Sequence, residues 1–204
     1  MQIDFIFSIL ILIFSVIVHE VSHGFAAYLQ GDNTAKFAGR LTLNPLSHLE
    51  WFGSFLLPVM SYFLGGFIIG WAKPVPFNPY NLRNQRWGES IVAFAGPAAN
   101  ICLALIFGLL IRFGVLIQFG EAFVQIAVMI VFINLILATF NLIPIPPLDG
   151  SKILFSVLPN SLLEVRSFLE RNSIFILIFF IFFLWQFILP LVSLEFSLIT
   201  GFAL

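Results

Sequence analysis

A chain of 204 residues with 60 % hydrophobic side chains, 9 % charged ones and 27 phenylalanines has lipid as its main solvent. Its formal net charge of −1 excludes the basic face that a nucleic-acid partner demands, and its single cysteine, Cys102, excludes a disulfide framework. At about 20 apolar residues per crossing, residues 1–204 make one domain of a few helices, with no room for a separate soluble domain.

The first predicted span covers about residues 3 to 29. It carries Asp4 where a secretory leader has basic residues, and cleavage behind it would destroy its most informative feature, so it is read as retained. That feature is His19-Glu20-Val21-Ser22-His23, an H-E-x-x-H pattern inside an almost unbroken apolar run. At helical spacing the two imidazoles leave one face about 6 Å apart and can hold one Zn²⁺. Glu20 projects from the neighbouring edge, where it can take a proton from an activated water without becoming a ligand. Charged groups at mid-bilayer cost about 2.5 to 3.5 kcal/mol each unless they meet a partner, a metal or water. Histidines that merely hydrogen-bond are therefore the weaker explanation.

Residues 36 to 43 alternate polar and apolar side chains and read as a short strand ended by Asn44-Pro45. His48, in the polar loop that follows, reads as a surface or gate residue in preference to a further ligand. The apolar segment 52 to 71 contains Pro58 and Gly65-Gly66, which suit two short arms that dip into the bilayer and return. With three prolines, 73 to 79 must be extended. A second span, 88 to 111, opens on Ala95-Gly96-Pro97-Ala98-Ala99, small residues that let helices approach closely in lipid, with Asn100 as a polar contact near the histidines. Further spans are predicted at 121 to 143 and 173 to 193, and Ser161-Leu162-Leu163-Glu164 has the capping-box pattern of a short interfacial helix. Trp51, Trp71 and Trp87 stand at span edges as interfacial anchors.

A catalytic zinc usually takes three protein ligands and leaves one position open. Among the acidic residues near span ends, only Asp149 has an unusual backbone context, because Pro144, Pro146 and Pro147 unwind the preceding span and Gly150 permits a turn. Its carboxylate either turns back into the bundle as a ligand or caps a short helix starting near Ser151.

His19-Glu20-Val21-Ser22-His23, Gly96-Pro97-Ala98-Ala99-Asn100 and Asn141 through Gly150 together resemble the site-2 protease family of intramembrane zinc metalloproteases. Loops 44 to 50 and 71 to 79 are similar to those of its compact branch without a PDZ domain. The resemblance implies that His19, His23 and Asp149 bind one Zn²⁺, that Glu20 activates water, and that Asn141 holds the substrate carbonyl or the developing oxyanion. It also implies a lipid-embedded site whose partner is a transmembrane protein or peptide substrate.

A shared metal constrains topology. His23 lies near the C-terminal end of its span and Asp149 just past the C-terminal end of its own, and one convincing span separates them, so 52 to 71 must be re-entrant if the two residues are to meet. Four crossings then leave Lys36, Arg40, Lys73, Arg83, Arg86, Lys152, Arg166 and Arg171 on one side and only Arg112 on the other. The positive-inside rule makes the metal-bearing side cytoplasmic, with both termini outside, and the cell membrane the expected location. The expected fold is thus an all-α polytopic membrane protein with about four transmembrane helices, a re-entrant segment and a short β-strand or hairpin near the active site. The competing functional readings are a metal-ion or small-solute transporter, and a zinc-binding membrane scaffold without protease activity.

Overall fold

The computed structural model describes residues 2–50, 56, 60 and 73–202, so the predicted re-entrant segment 52–71 apart from residues 56 and 60, together with Trp51 and Trp71, lies outside the described residues. Helix α1, Gln2–Leu29, contains the H-E-x-x-H run and continues without a break through it. A one-turn helix α2, Thr34–Phe37, follows, and then α3, Gly88–Arg112, α4, Glu121–Asn141, α5, Asp149–Val157, α6, Leu163–Arg171, and α7, Ser173–Thr200.

Among the described residues, three helical segments are long and apolar enough to cross a bilayer: Ile6–Leu29, Gly88–Arg112 and Glu121–Asn141. At 1.5 Å per residue, these 24, 25 and 21 residues each exceed a hydrocarbon core of about 30 Å. The predicted span at 173 to 193 falls within α7, whose arms Ser173–Phe183 and Gln186–Thr200 meet at a bend of 69°, the geometry of a broken span or a re-entrant path. α3 sits centrally, packed on α1, α4, α5 and α7, while α4 contacts both α1 and α7. An apolar cluster of Ala104 and Ile111 from α3, Ala127, Val131 and Leu135 from α4, and Ile188, Val192 and Phe196 from α7 holds one side of this arrangement. A smaller cluster of Ala27, Leu82 and Val92 closes the end where α1 finishes and α3 begins.

The strand expected over 36 to 43 is not formed. Thr34–Phe37 is helical, with Asn33 at its N-cap position, and the Asp32 carboxylate accepts from both the backbone N–H and the hydroxyl of Thr34. Gly39, at φ +64°, then turns the chain. The alternation had another cause: Arg40 points inward to donate to the carbonyls of Ser47, Lys73 and Pro74, while Phe37 and Leu43 remain exposed. The stretch 73 to 79, expected to be extended throughout, carries no helix over 73–78, but its last residue, Pro79, opens a single 3-10 turn, Pro79–Asn81, which the Asn78 side chain caps by accepting from the Tyr80 N–H. α6 is present as an amphipathic surface helix, but its N-cap is Leu162 and no side chain caps it, so the capping box of Ser161 and Glu164 is not formed.

Candidate metal centre

The four-residue spacing in α1 stacks His19 and His23 on one face, their rings 4.6 Å apart and nearly perpendicular. Each ring is held by its Nδ1. His23 Nδ1 donates to the Val92 carbonyl at 2.7 Å, and His19 Nδ1 donates to Asn100 Oδ1 at 2.6 Å. With the protons on Nδ1, both Nε2 atoms present lone pairs to the same point. Asp149 Oδ2 stands there, 3.1 Å from each. All three residues are buried.

Three lone-pair-bearing atoms facing one another repel unless a cation lies between them. A proton can satisfy two of them, and a divalent ion all three. Ligands at 2.0–2.2 Å from a tetrahedral zinc stand about 3.3 Å apart, close to the spacing observed. Glu20 adds a further carboxylate oxygen nearby, since one ligand atom each from His19, Glu20 and His23 lie within 4.8 Å of one another. Its carboxylate is steadied from the other side by the Val75 N–H at 2.9 Å. The space is kept open by Gly96, where a Cβ would lie 2.5 Å from His23 Nε2 and 2.6 Å from His19 Nε2, about where a metal or its open position must be.

Asp149 is the first residue of α5 and does not cap it. Its direction is set by Gly150, at which a Cβ would come within 2.2 Å of the Leu142 carbonyl oxygen and 2.5 Å of that of Ile143. Only glycine lets the start of α5 press against the unwound exit of α4, and that contact turns Asp149 toward the histidines. Of the two readings left open by the sequence, the capping one is overturned.

The sequence profile of peptidase family M50 matches residues 7–185. The chain belongs to peptidase family M50. This is the site-2 protease family, whose members depend on zinc. YwhC of Bacillus subtilis, which carries the name of a zinc metalloprotease, is 37 % identical over 191 residues, covering 91 % of this chain and 81 % of its own length. Rip2 of Mycolicibacterium smegmatis, similarly named, is 36 % identical over 136 residues, or 67 % of this chain and 51 % of its own. Rip2 of Mycobacterium tuberculosis is 30 % identical over the same shares. No solved structure gives a significant match.

Within this M50 chain, His19, Glu20, His23 and Asp149 come together, and Asn141 is placed differently. Its amide donates to the Leu137 carbonyl one turn back at 2.9 Å, its hydrogen bond among the described residues. His48 is 1 % exposed and so is no surface residue; its Nε2 lies 2.8 Å from the Thr42 carbonyl. Sequence reasoning missed the fully buried Asn134 of α4 and Asp32 in the loop after α1. An amide in the middle of a long apolar run, with apolar residues from Ile126 to Ile133 before it and Leu135 to Ala138 after it, was the available signal for the first. Asp32 had none beyond an ordinary loop composition.

Proposed function

We propose that this M50 chain is an intramembrane endopeptidase in which His19, His23 and Asp149 hold one zinc ion and Glu20 is the general base. The convergence of two Nε2 lone pairs and one carboxylate oxygen at 3.1 Å, beside a second carboxylate that binds elsewhere, carries the reading. Zinc, once bound, polarises the scissile carbonyl and brings the pKa of water toward about 7. Glu20 takes a proton from the attacking water and delivers it to the leaving amine, and its bond to the Val75 N–H keeps its carboxylate in place for both transfers. The Asn141 amide has two N–H groups, of which one serves Leu137, so the other is free to donate to the oxyanion.

Its substrates are membrane-spanning or membrane-associated proteins. A helical scissile bond is shielded by its own hydrogen bonds, so the substrate must unwind and find new partners that lipid does not supply. The extended segment 73–78, which passes beside Glu20, is the partner for such an unwound strand. Four crossings, counting α7 as one broken span, put the zinc site toward the cytoplasm of a cell membrane. Eight of the nine basic residues on one side support that orientation. The test is purified protein in detergent with single-span peptides. Cleavage should cease with a strong chelator and return with stoichiometric zinc. Cleavage that survives metal removal overturns the proposal.

A further inference from the structure

His19 and His23 have the same orientation toward the centre, yet they obtain it by different means. His23 Nδ1 meets a backbone carbonyl, that of Val92, which only accepts and is present whatever the side chain. His19 Nδ1 meets the side-chain amide of Asn100, which offers an oxygen on one end and a donor on the other. If that amide were reversed, its NH₂ would face His19, the imidazole proton would move to Nε2, and the lone pair needed at the centre would be lost.

Two carbonyls decide which way the amide points. Asn134 Nδ2 donates to the Ile130 carbonyl at 2.8 Å and to Ser15 Oγ at 2.9 Å, so its Oδ1 must face Asn100. Asn100 Nδ2 donates to that Oδ1 at 2.7 Å and to the Ser15 carbonyl at 3.3 Å, so its own Oδ1 must face His19. Both asparagines are fully buried and Ser15 nearly so, which leaves water no access to scramble the polarity. The relay joins three helices, with Ser15 and His19 on α1, Asn100 on α3 and Asn134 on α4.

We infer that Asn134 and Ser15 are positioning residues for the metal centre, fixing the tautomer of His19 through Asn100 without touching metal or substrate. The inference rests on His19 being a zinc ligand, as proposed above. Partners behind a metal-bound histidine typically change metal affinity by 10- to 100-fold when removed, and Asn134 stands one step further back.

The test measures zinc affinity of the purified protein by chelator competition, and the visible spectrum of the cobalt(II) form, together with thermal stability. Asn134→Leu should weaken zinc by about tenfold and change the cobalt spectrum. Ser15→Ala, which removes one of two acceptors and leaves the Ile130 carbonyl, should weaken it by about threefold. Ile188→Ala, in the apolar cluster on α7, should lower thermal stability and leave both zinc readouts unchanged. Zinc affinity within twofold of wild type in Asn134→Leu overturns the inference, as does an equal loss in Ile188→Ala. Should Asn134→Leu fail to fold, Ser15→Ala decides by the same measure, and unchanged affinity there overturns it. Wild-type protein that binds no zinc overturns the metal centre itself, and this inference with it, whereas a zinc-binding wild type with an indifferent Asn134 sinks the inference alone.

Discussion

α3 and α4 each face two ways, and the two seams they make are chemically different. Toward α1 they present Gly96, Asn100 and Asn134, and that seam is closed by hydrogen bonds between fully buried groups. Toward α7 they present Ala104, Ile111, Val131 and Leu135, which pack on Ile188, Val192 and Phe196. In lipid the second kind of seam lacks a hydrophobic driving force and relies on van der Waals fit. A cleft of about 680 Å³ opens there among Leu135, Thr139, Pro144, Phe187 and Glu195, where Thr139 Oγ1 donates to Glu195 Oε2 at 2.9 Å, against about 300 Å³ in the α1 seam beside Ser15 and Asn134. The candidate metal centre sits in the seam whose geometry is enforced by directional bonds. Ligand atoms must be held within a few tenths of an ångström, which apolar packing alone does not do.

The largest effect expected is from Glu20→Gln, which keeps shape and removes the base. Peptide cleavage should fall by about 10²- to 10⁴-fold with zinc content unchanged. A variant that still cleaves would mean that the α1 seam holds metal for some purpose other than activating water. Asn141→Ala comes next, at about 10²-fold in kcat with little change in zinc affinity. Asn141 is the last residue of α4 and bonds the Leu137 carbonyl, so an unaltered kcat would leave it to the helix end and remove it from the chemistry.

Two glycines of α3, twelve residues apart, set the seams directly against each other. A Cβ at Gly96 would meet both imidazole Nε2 atoms at 2.5 and 2.6 Å, and the rings have no room to yield without leaving Asn100 and Val92. Gly96→Ala should therefore weaken zinc by more than about tenfold, by analogy with other disturbances around metal ligands. A Cβ at Gly108 would meet Ile199 Cγ2 at 2.3 Å, in the α7 seam. Gly108→Ala should cost about 1–3 kcal/mol of stability by overpacking and leave zinc affinity intact. Equal zinc loss in the two variants would show that the seams act as one body, and the distinction drawn between them would fail.

The local parts of the site are legible in the sequence, and the parts that depend on tertiary contact are not. His19, Glu20 and His23 follow from spacing on one helix. Asp149 stands out by its prolines, yet whether it caps or ligates depends on how closely Gly150 meets the Leu142 and Ile143 carbonyls, a contact between segments. Gly96 and Asn100 read as a packing run with a polar neighbour, and their contact with both imidazoles sharpens that reading. Asn134 is legible as an amide at the centre of an apolar span, but nothing local in the sequence ties it to the histidines of α1. The error at 36 to 43 is instructive, because a period of two implies a strand only when a second strand can accept it. Here Arg40 takes the inward position by bonding to loop carbonyls.

The smallest effect concerns how far the order of the α1 side extends beyond the lipid. Asp32, fully buried just past α1, accepts from Thr34 Oγ1 at 2.6 Å, Asn78 N at 2.7 Å and Asn81 Nδ2 at 3.0 Å, and so ties the end of α1 to the segment that carries Val75 to Glu20. Burial works against its charged form, but the hydrogen bonds from Thr34, Asn81 and Asn78 outweigh it and hold its carboxyl below the ordinary carboxylate value. A carboxyl whose pKa is lowered in the folded state stabilises fully above its unfolded value, about 3.9, and loses that contribution as pH falls through the folded value. The tie is therefore complete at neutral pH and loosens only below about pH 4. Hydrogen exchange at the Asn78 and Val75 amides, corrected for intrinsic rates, should lose protection in that range. Asp32→Asn, which keeps the shape and cannot ionise, should be weaker by about 1 kcal/mol at pH 7 and show no such acid step. If wild-type protection at Asn78 is the same at pH 3 as at pH 7, the carboxylate is not what holds this loop, and the enforced geometry of the α1 side ends at the membrane surface.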